Sequence, residues 1–436
     1  MSRRFLVVAL SAAVTVVASG AANASDALRD RHVLTFDSEH IWNTTANDWE
    51  PTVAADPGTS FVYQMTTRYG GTHVCGSGMQ HCIFFRASAD GGTTWGPDSQ
   101  MCPGTSCKRV QAQNDPEMKV SASGVIYAAW MNDYDVVFAK SSDHGATWST
   151  PIDFKKASGL SFTDKPILII SADGHDVYVA FNSSDSYVVA SHDSGATFGP
   201  AVKTNSDGLY WFAEAGAVAP NGAAYFSESA ENQTPVGPVK LYVLKSTNGG
   251  TSWASTLVDT SQQQPPCTVK NCPADFFGSQ IAVAVDRAGT LMVAYSANDA
   301  VQAPLHLFAR TSTDGVTWSA RADIDPSGTA AGAGFPEIAA GPTAGDFRVA
   351  FQDDRNGATS WNTWFRRTTN GGGSWNPAVR LSDLGGGAPY KNPNGYSFPY
   401  GDYFGLSVGG TGTNYVIWGK GPNYDGPGGA WFTRGS

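Results

Sequence analysis

The sequence predicts an all-β protein folded as a single β-propeller, and three observations predict it. A turn-like motif recurs six times at nearly even spacing. Alternating apolar strands lead into each copy. Glycine and proline are abundant, 49 and 24 of 436 residues, while charged residues make up only 15%. Aromatic residues at 12% argue against disorder, which goes with few aromatics and dense charge. The Ala/Glu/Lys/Leu-dominated composition of long helices is absent.

The motif is "SADGGTTW" at Ser88–Trp95, "SSDHGATW" at Ser141–Trp148 and "SHDSGATF" at Ser191–Phe198. It returns as "STNGGTSW" at Ser246–Trp253, "STDGVTW" at Ser312–Trp318 and "TTNGGGSW" at Thr368–Trp375. The central Asp or Asn residues are 53, 50, 55, 66 and 56 positions apart. A period of about 50 residues is the mark of a repeat architecture such as a propeller. An Asp or Asn accepts backbone N–H bonds inside a tight turn, and the glycine after it supplies positive φ. The closing Trp or Phe is an apolar anchor that must be buried.

Runs such as "DVVFAKSS" and "YVVASHD" before the motifs alternate with period two, as half-buried strands do. First strands of the repeats begin near Trp49, Asp115, Asp164, Phe212, Phe277, Phe335 and Asp402. That counts seven units against six motifs. Seven blades are expected, with six as the alternative. "HVLTF", His32–Phe36, is the candidate strand that closes the last unit against the first and removes the sheet edges.

Met1-Ser-Arg-Arg, an apolar run from Phe5 to about Ser19 and Ala22-Asn23-Ala24 form a secretory signal. Residues 1–24 are therefore expected to be removed, leaving 25–436 as one exported propeller domain. No later segment reaches the roughly 18 apolar residues of a membrane span. The six cysteines fall in the close pairs Cys75/Cys82, Cys102/Cys107 and Cys267/Cys272. An oxidising space favours three local loop disulfides. Zinc is disfavoured because neither CxxC nor HxxxH occurs. Net charge is −10 with no basic run, so nucleic acid is not an expected partner.

The starts of the inner strands reach one face of a propeller. Glu50, Asp115, Lys165, Glu214, Asp275, Phe335, Asp402 and Tyr403 are placed there, with Trp49 and Trp211 beside them. Carboxylates, a tyrosine and flat rings suit a sugar, and paired carboxylates suit acid/base work at a glycosidic bond. A solvated ring of acids is the plain alternative. A calcium site drawn from Asp115, Asp164, Asp275 and Asp402 is another.

The six motifs resemble the Asp-box of the secreted bacterial sialidase-like propellers, and the resemblance covers almost the whole mature chain. It implies that the box itself is structural. It also implies a tyrosine nucleophile activated by a glutamate, an aspartate acid/base and three arginines that clamp a carboxylate. Tyr403 in "GDYFGL" and Glu214 in "WFAEAGAVAPNG" match the tyrosine and glutamate positions. With Asp115 they form the candidate catalytic set. Glu50, Arg68, Lys165, Trp49, Trp211 and Asp402 are the candidate substrate-binding residues.

The arginines depart from the pattern. Glu50 in "WEP" stands where the first is implied, and Ser227 and Glu228 stand where the second is. The loop from Thr66 to Cys82 carries Arg68, His73 and His81 where the family's aspartate is implied. A carboxylate repels a carboxylate, so sialic acid is disfavoured as the substrate. The expectation is a monomeric glycan hydrolase that requires no cofactor, with calcium left open. A non-catalytic glycan- or protein-binding propeller is the first alternative. The second is a polysaccharide lyase using His73 and Tyr403, with Arg68 or Lys165 neutralising a uronate.

Overall fold

The computed structural model describes residues 34–70, 75–104, 107–232, 237–264, 279–325, 332–356, 361–383, 404–420 and 428–436. They form seven four-stranded antiparallel sheets, each a simple meander except the last. The first strands of the seven blades are Asn47–Ala55, Gln113–Val120, Asp164–Ile170, Tyr210–Val218, Ile281–Val285, Ala333–Ala340 and Gly405–Val408. Each touches the first strand of the next blade, and the seventh touches the first, so they ring a central channel. The alternative of six blades is thereby set aside.

Closure is made by the N-terminal segment, from the end of "HVLTF" into the residues just after it. His40 and Ile41 pair with Phe432 and Trp431 as the outermost strand of blade 7. Phe36 bridges Gly435, and Thr35 and Asp37 make backbone hydrogen bonds with Ser436 and Arg434. The end of "HVLTF" thus lies against the last strand, and the regular pairing follows at His40–Ile41.

The core lies between blades. One cluster joins Tyr63, Met65, Ile83 and Phe85 of blade 1 to Met118, Ile126 and Trp130 of blade 2, and the same arrangement recurs around the ring. Burying a side chain of this size contributes about 1.5–3 kcal/mol.

The six repeated turns connect the third and fourth strands. In the first, Ser88 Oγ donates to Asp90 Oδ1 at 2.8 Å and accepts from Gly92 N at 2.8 Å. Asp90 Oδ1 also takes the N–H groups of Thr93 and Thr94 at 3.0 and 2.8 Å, and Oδ2 takes the Thr94 hydroxyl. Asp143, Asp193 and Asp314 repeat this pattern with small changes, and Asn248 and Asn370 reproduce it with an amide. These donors hold the aspartates below their ordinary range, Asp143 at about 2 with the Thr147 hydroxyl as the largest cause. The glycine lets the turn settle on the preceding blade. Gly145 has φ +86°, and a Cβ there would meet the Phe85 ring at 2.2 Å.

Cys75–Cys82 and Cys102–Cys107 are bonded, with Cα separations of 5.8 and 5.3 Å. The expected Cys267–Cys272 pair lies outside the described residues.

Candidate functional site

At the opposite end of the inner strands, five of them carry a bulge. Register slips between Trp49 and Thr52, Asn114 and Glu117, Asp164 and Ile167, Ala213 and Ala215, and Gly334 and Glu337. In four of these strands the bulged residue precedes a proline: Glu50, Asp115, Lys165 and Phe335, with φ of 49°, 54°, 47° and 53°. Glu214 holds the equivalent place in blade 4. Proline has no N–H to give a ladder, so a bulge is where a strand tolerates it. A left-handed conformation costs an ordinary residue about 1–2 kcal/mol. Its recurrence at four seams shows that the backbone is built to turn these side chains off the sheet, as bulges do.

Five sequence-nominated residues therefore share one structural position. Two of them, Lys165 and Glu214, meet across a blade seam. Lys165 Nζ lies 3.4 Å from Glu214 Oε2, and Ser229 Oγ donates to Glu214 Oε1 at 2.9 Å. Lys165 Nζ also sits 5.5 Å from the centre of the Phe212 ring.

Sequence reasoning passed over two neighbours and saw a third, His81, only as a loop residue. Tyr69 lies between the rings of Trp49 and His81, with centroids 4.1 and 4.3 Å away. Its hydroxyl is 3.4 Å from Asn114 Oδ1. Burial, reinforced by the carboxylates of Glu50 and Asp115, pushes the Tyr69 phenol well above its ordinary value. Burial also holds His81 below its ordinary value, against an opposing hydrogen bond with the Asn114 side chain. Tyr69 and His81 face each other on adjacent strands, a register that only strand pairing reveals.

Below the bulges the channel narrows to a cavity of about 60 Å³, lined by Glu117, Lys119, Glu214 and Glu337 among backbone from all seven blades. That holds a few waters, and it falls well short of the roughly 300 Å³ of a small-molecule site. A ligand of that size therefore does not fit inside this cavity. Glu117 and Glu337 keep part of their surface toward this cavity while protein encloses the rest. Burial, with Glu117 nearby, pushes Glu337 well above the usual carboxylate range. Glu228 is fully buried, accepts from Ser186 Oγ at 2.8 Å and is pushed up to about 8, by burial first and by Glu214 in addition.

Two expectations need correction. Arg68 is buried, and its donors are taken by Asp48 at 2.7 and 2.9 Å and Asp98 at 2.6 Å. It ties blade 1 together, and with three of its five N–H groups on aspartates and its side chain buried it is not presented to a substrate. Trp211 is also buried, stacked on Tyr242 at 4.4 Å, with its indole N–H on Asp207. It offers no ring to a sugar. Arg355, in "QDDRNG", is likewise paired with Asp353 and lies over Trp364. Tyr403, Asp402, His73 and Asp275 lie outside the described residues. Among the described residues no group of three His, Cys, Asp or Glu side chains is placed to hold a metal ion, so Asp115 and Asp164 do not form the calcium set on their own. No described helix is long and apolar enough to cross a membrane.

No family profile and no curated protein matches the chain. Solved structures do. A protein of unknown function from Dyadobacter fermentans aligns at TM-score 0.53 and 12% identity, covering 92% of this chain and 99% of that one. A polysaccharide lyase of the PL25 ulvan lyase family aligns at TM-score 0.52 and 12% identity, covering 90% and 95%. The Hadza microbial sialidase Hz136 aligns at TM-score 0.49 and 14% identity, and this chain spans 65% of its length. What is shared is the fold. It is the propeller seen in this lyase family, and at these identities it carries no specific activity with it.

Proposed function

We propose that the protein is an exported glycoside hydrolase that takes an uncharged glycan on the bulge face of its propeller. The observation that carries this reading is the placement of Glu50, Asp115, Lys165, Glu214 and Phe335 on equivalent bulges, four of them at the cost of left-handed backbone. Strained backbone that recurs at equivalent positions under changing side chains is the kind of strain a binding site stores. Carboxylates there bond sugar hydroxyls, and the Trp49–Tyr69 pair supplies flat rings beside them.

The charge of the face selects the substrate. Glu50, Asp115 and Glu214 outnumber Lys165, and the nearby arginines Arg68 and Arg355 are held by aspartates. A carboxylate-bearing sugar would meet repulsion and no clamp. A neutral sugar meets neither obstacle.

In this reading Glu214 is the base. Paired with Lys165, it takes the phenolic proton as Tyr403 attacks the anomeric carbon. Asp115 gives a proton to the departing glycosidic oxygen, and the resulting glycosyl-tyrosine is released by water. Tyr403 directly precedes Phe404, which lines the channel.

The test is purified mature protein against fluorogenic glycosides, neutral and sialylated, with Glu214→Gln and Tyr403→Phe in parallel. Release of a neutral sugar, lowered about 100-fold or more in both variants, is expected. Glycan binding without release would make it a binding propeller. An unsaturated product from a uronate polymer would make it a lyase. Release unaffected by Glu214→Gln would remove the assigned base.

A further inference from the structure

The opposite, turn-bearing end of the molecule holds a groove of about 480 Å³ at the seam between blades 2 and 3. Its size is within the range of small-molecule sites. The walls are the outer edge of blade 2, with Lys140, Ser142, Trp148 and Ser149, and the hairpin and turn of blade 3, with Asp173 and Ser194.

The tryptophan here differs from its counterparts. The indole N–H groups of Trp95, Trp253, Trp318 and Trp375, the anchors of four other turns, are buried. That of Trp148 is not among the buried ones, although its ring still packs edge-on against Phe85 at 5.4 Å. It therefore presents a donor and an aromatic edge to the groove.

The polar groups around it have capacity to spare. Lys140 Nζ spends one of its three donors on Ser194 O at 2.6 Å. Ser149 Oγ accepts from Lys140 N at 3.1 Å, which leaves its own O–H to give. Asp173 takes Ser171 Oγ and His175 N on one oxygen, so the second remains an acceptor. Ser142 is exposed. The single ammonium and single carboxylate offset each other. What remains is a wall of hydroxyls with one indole, complementary to a molecule that is itself hydroxyls on a C–H frame.

We propose that this groove is a second carbohydrate site, which binds an uncharged oligosaccharide through Trp148, Lys140, Asp173 and the serine hydroxyls. Lying at the far end of the propeller from the bulges, it would hold a long glycan to the protein while the bulge face engages another stretch or another chain. Such two-point attachment raises the effective concentration of substrate without any new contact at the first site. The proposal does not depend on the bulge face being catalytic.

The experiment is a titration of the ¹⁵N-labelled mature protein with cello-, manno-, xylo- and malto-hexaose, following the Trp148 indole N–H signal, which is assigned by its loss in Trp148→Phe. At least one hexaose should move that signal to saturation. Ser142→Leu, which narrows the groove from an exposed position, should weaken that binding about tenfold or more, and Lys140→Met should weaken it too. If no hexaose moves the signal, or if both variants bind as the wild type does, the proposal is overturned. Glycoside turnover reads the bulge face separately, so either site can fail alone.

Discussion

The two ends of the inner strands repeat in opposite ways. At the turn end the same side chains recur, Ser, Asp or Asn, Gly and an aromatic anchor, and they bond one another. Ser88, Asp90 and Thr94 form a closed set, and so do Ser141, Asp143 and Thr147. At the bulge end only the backbone recurs. The same left-handed kink presents a glutamate, an aspartate, a lysine and a phenylalanine in different blades. Repetition of side chains marks a part that holds every blade alike. Repetition of backbone under changing side chains marks a surface composed residue by residue.

The largest expected effect breaks the turn end. Gly145→Ala adds a methyl group against the Phe85 ring at a φ of +86°. Overpacking and left-handed strain together should cost about 3 kcal/mol, read as a fall in the denaturation midpoint. An unchanged midpoint would mean that this turn is not packed between blades as described.

Next comes the ground beneath the bulges. Glu228 keeps its proton when folded up to about 8 and releases it near 4.5 when unfolded. The folded state therefore binds more protons between those values, and stability from this group is lost as pH rises from 4.5 through 8. Glu228→Gln removes that loss. Its Tm should exceed that of the wild type by several degrees at pH 8 and by much less at pH 5. An equal difference at both pH values would contradict the buried, protonated state.

A smaller change sharpens the contrast. Asp115→Gly relieves the positive φ of 54° while adding the backbone freedom of glycine. Stability should stay within about 1 kcal/mol of the wild type while glycan turnover collapses. A large loss of stability instead would make Asp115 a structural residue.

The smallest effect lies in the turns themselves. Their aspartates are held low, so their contribution is present above an unfolded value near 4 and fades as pH falls toward about 2. Asp143→Asn copies what Asn248 and Asn370 already do in the same motif. It should leave Tm almost unchanged at pH 7 and lessen its fall between pH 4 and pH 2.

This contrast also explains what the sequence could reveal. The turns were legible because their chemistry is local: every hydrogen-bond partner of the Asp90 carboxylate lies within four residues. The blade count came from the first strands, seven units against six turns. The bulges left a weaker trace, in the dipeptides Glu50-Pro51, Asp115-Pro116, Lys165-Pro166 and Phe335-Pro336, which open four inner strands. Arg68 and Trp211 were misplaced because their partners, Asp48 with Asp98 and Asp207, depend on blade geometry. Tyr69 escaped notice for the same reason, since its contacts with Trp49, His81 and Asn114 cross strands and a blade seam.

The most direct test makes one chemical change at both ends. Asp115→Asn and Asp143→Asn each replace a carboxylate by an amide, and turnover of the best glycoside is compared with the wild type. Turnover should drop about 100-fold or more in Asp115→Asn and remain at the wild-type level in Asp143→Asn. Equal turnover in the two variants would contradict the assignment of the bulge face as the working end of the molecule.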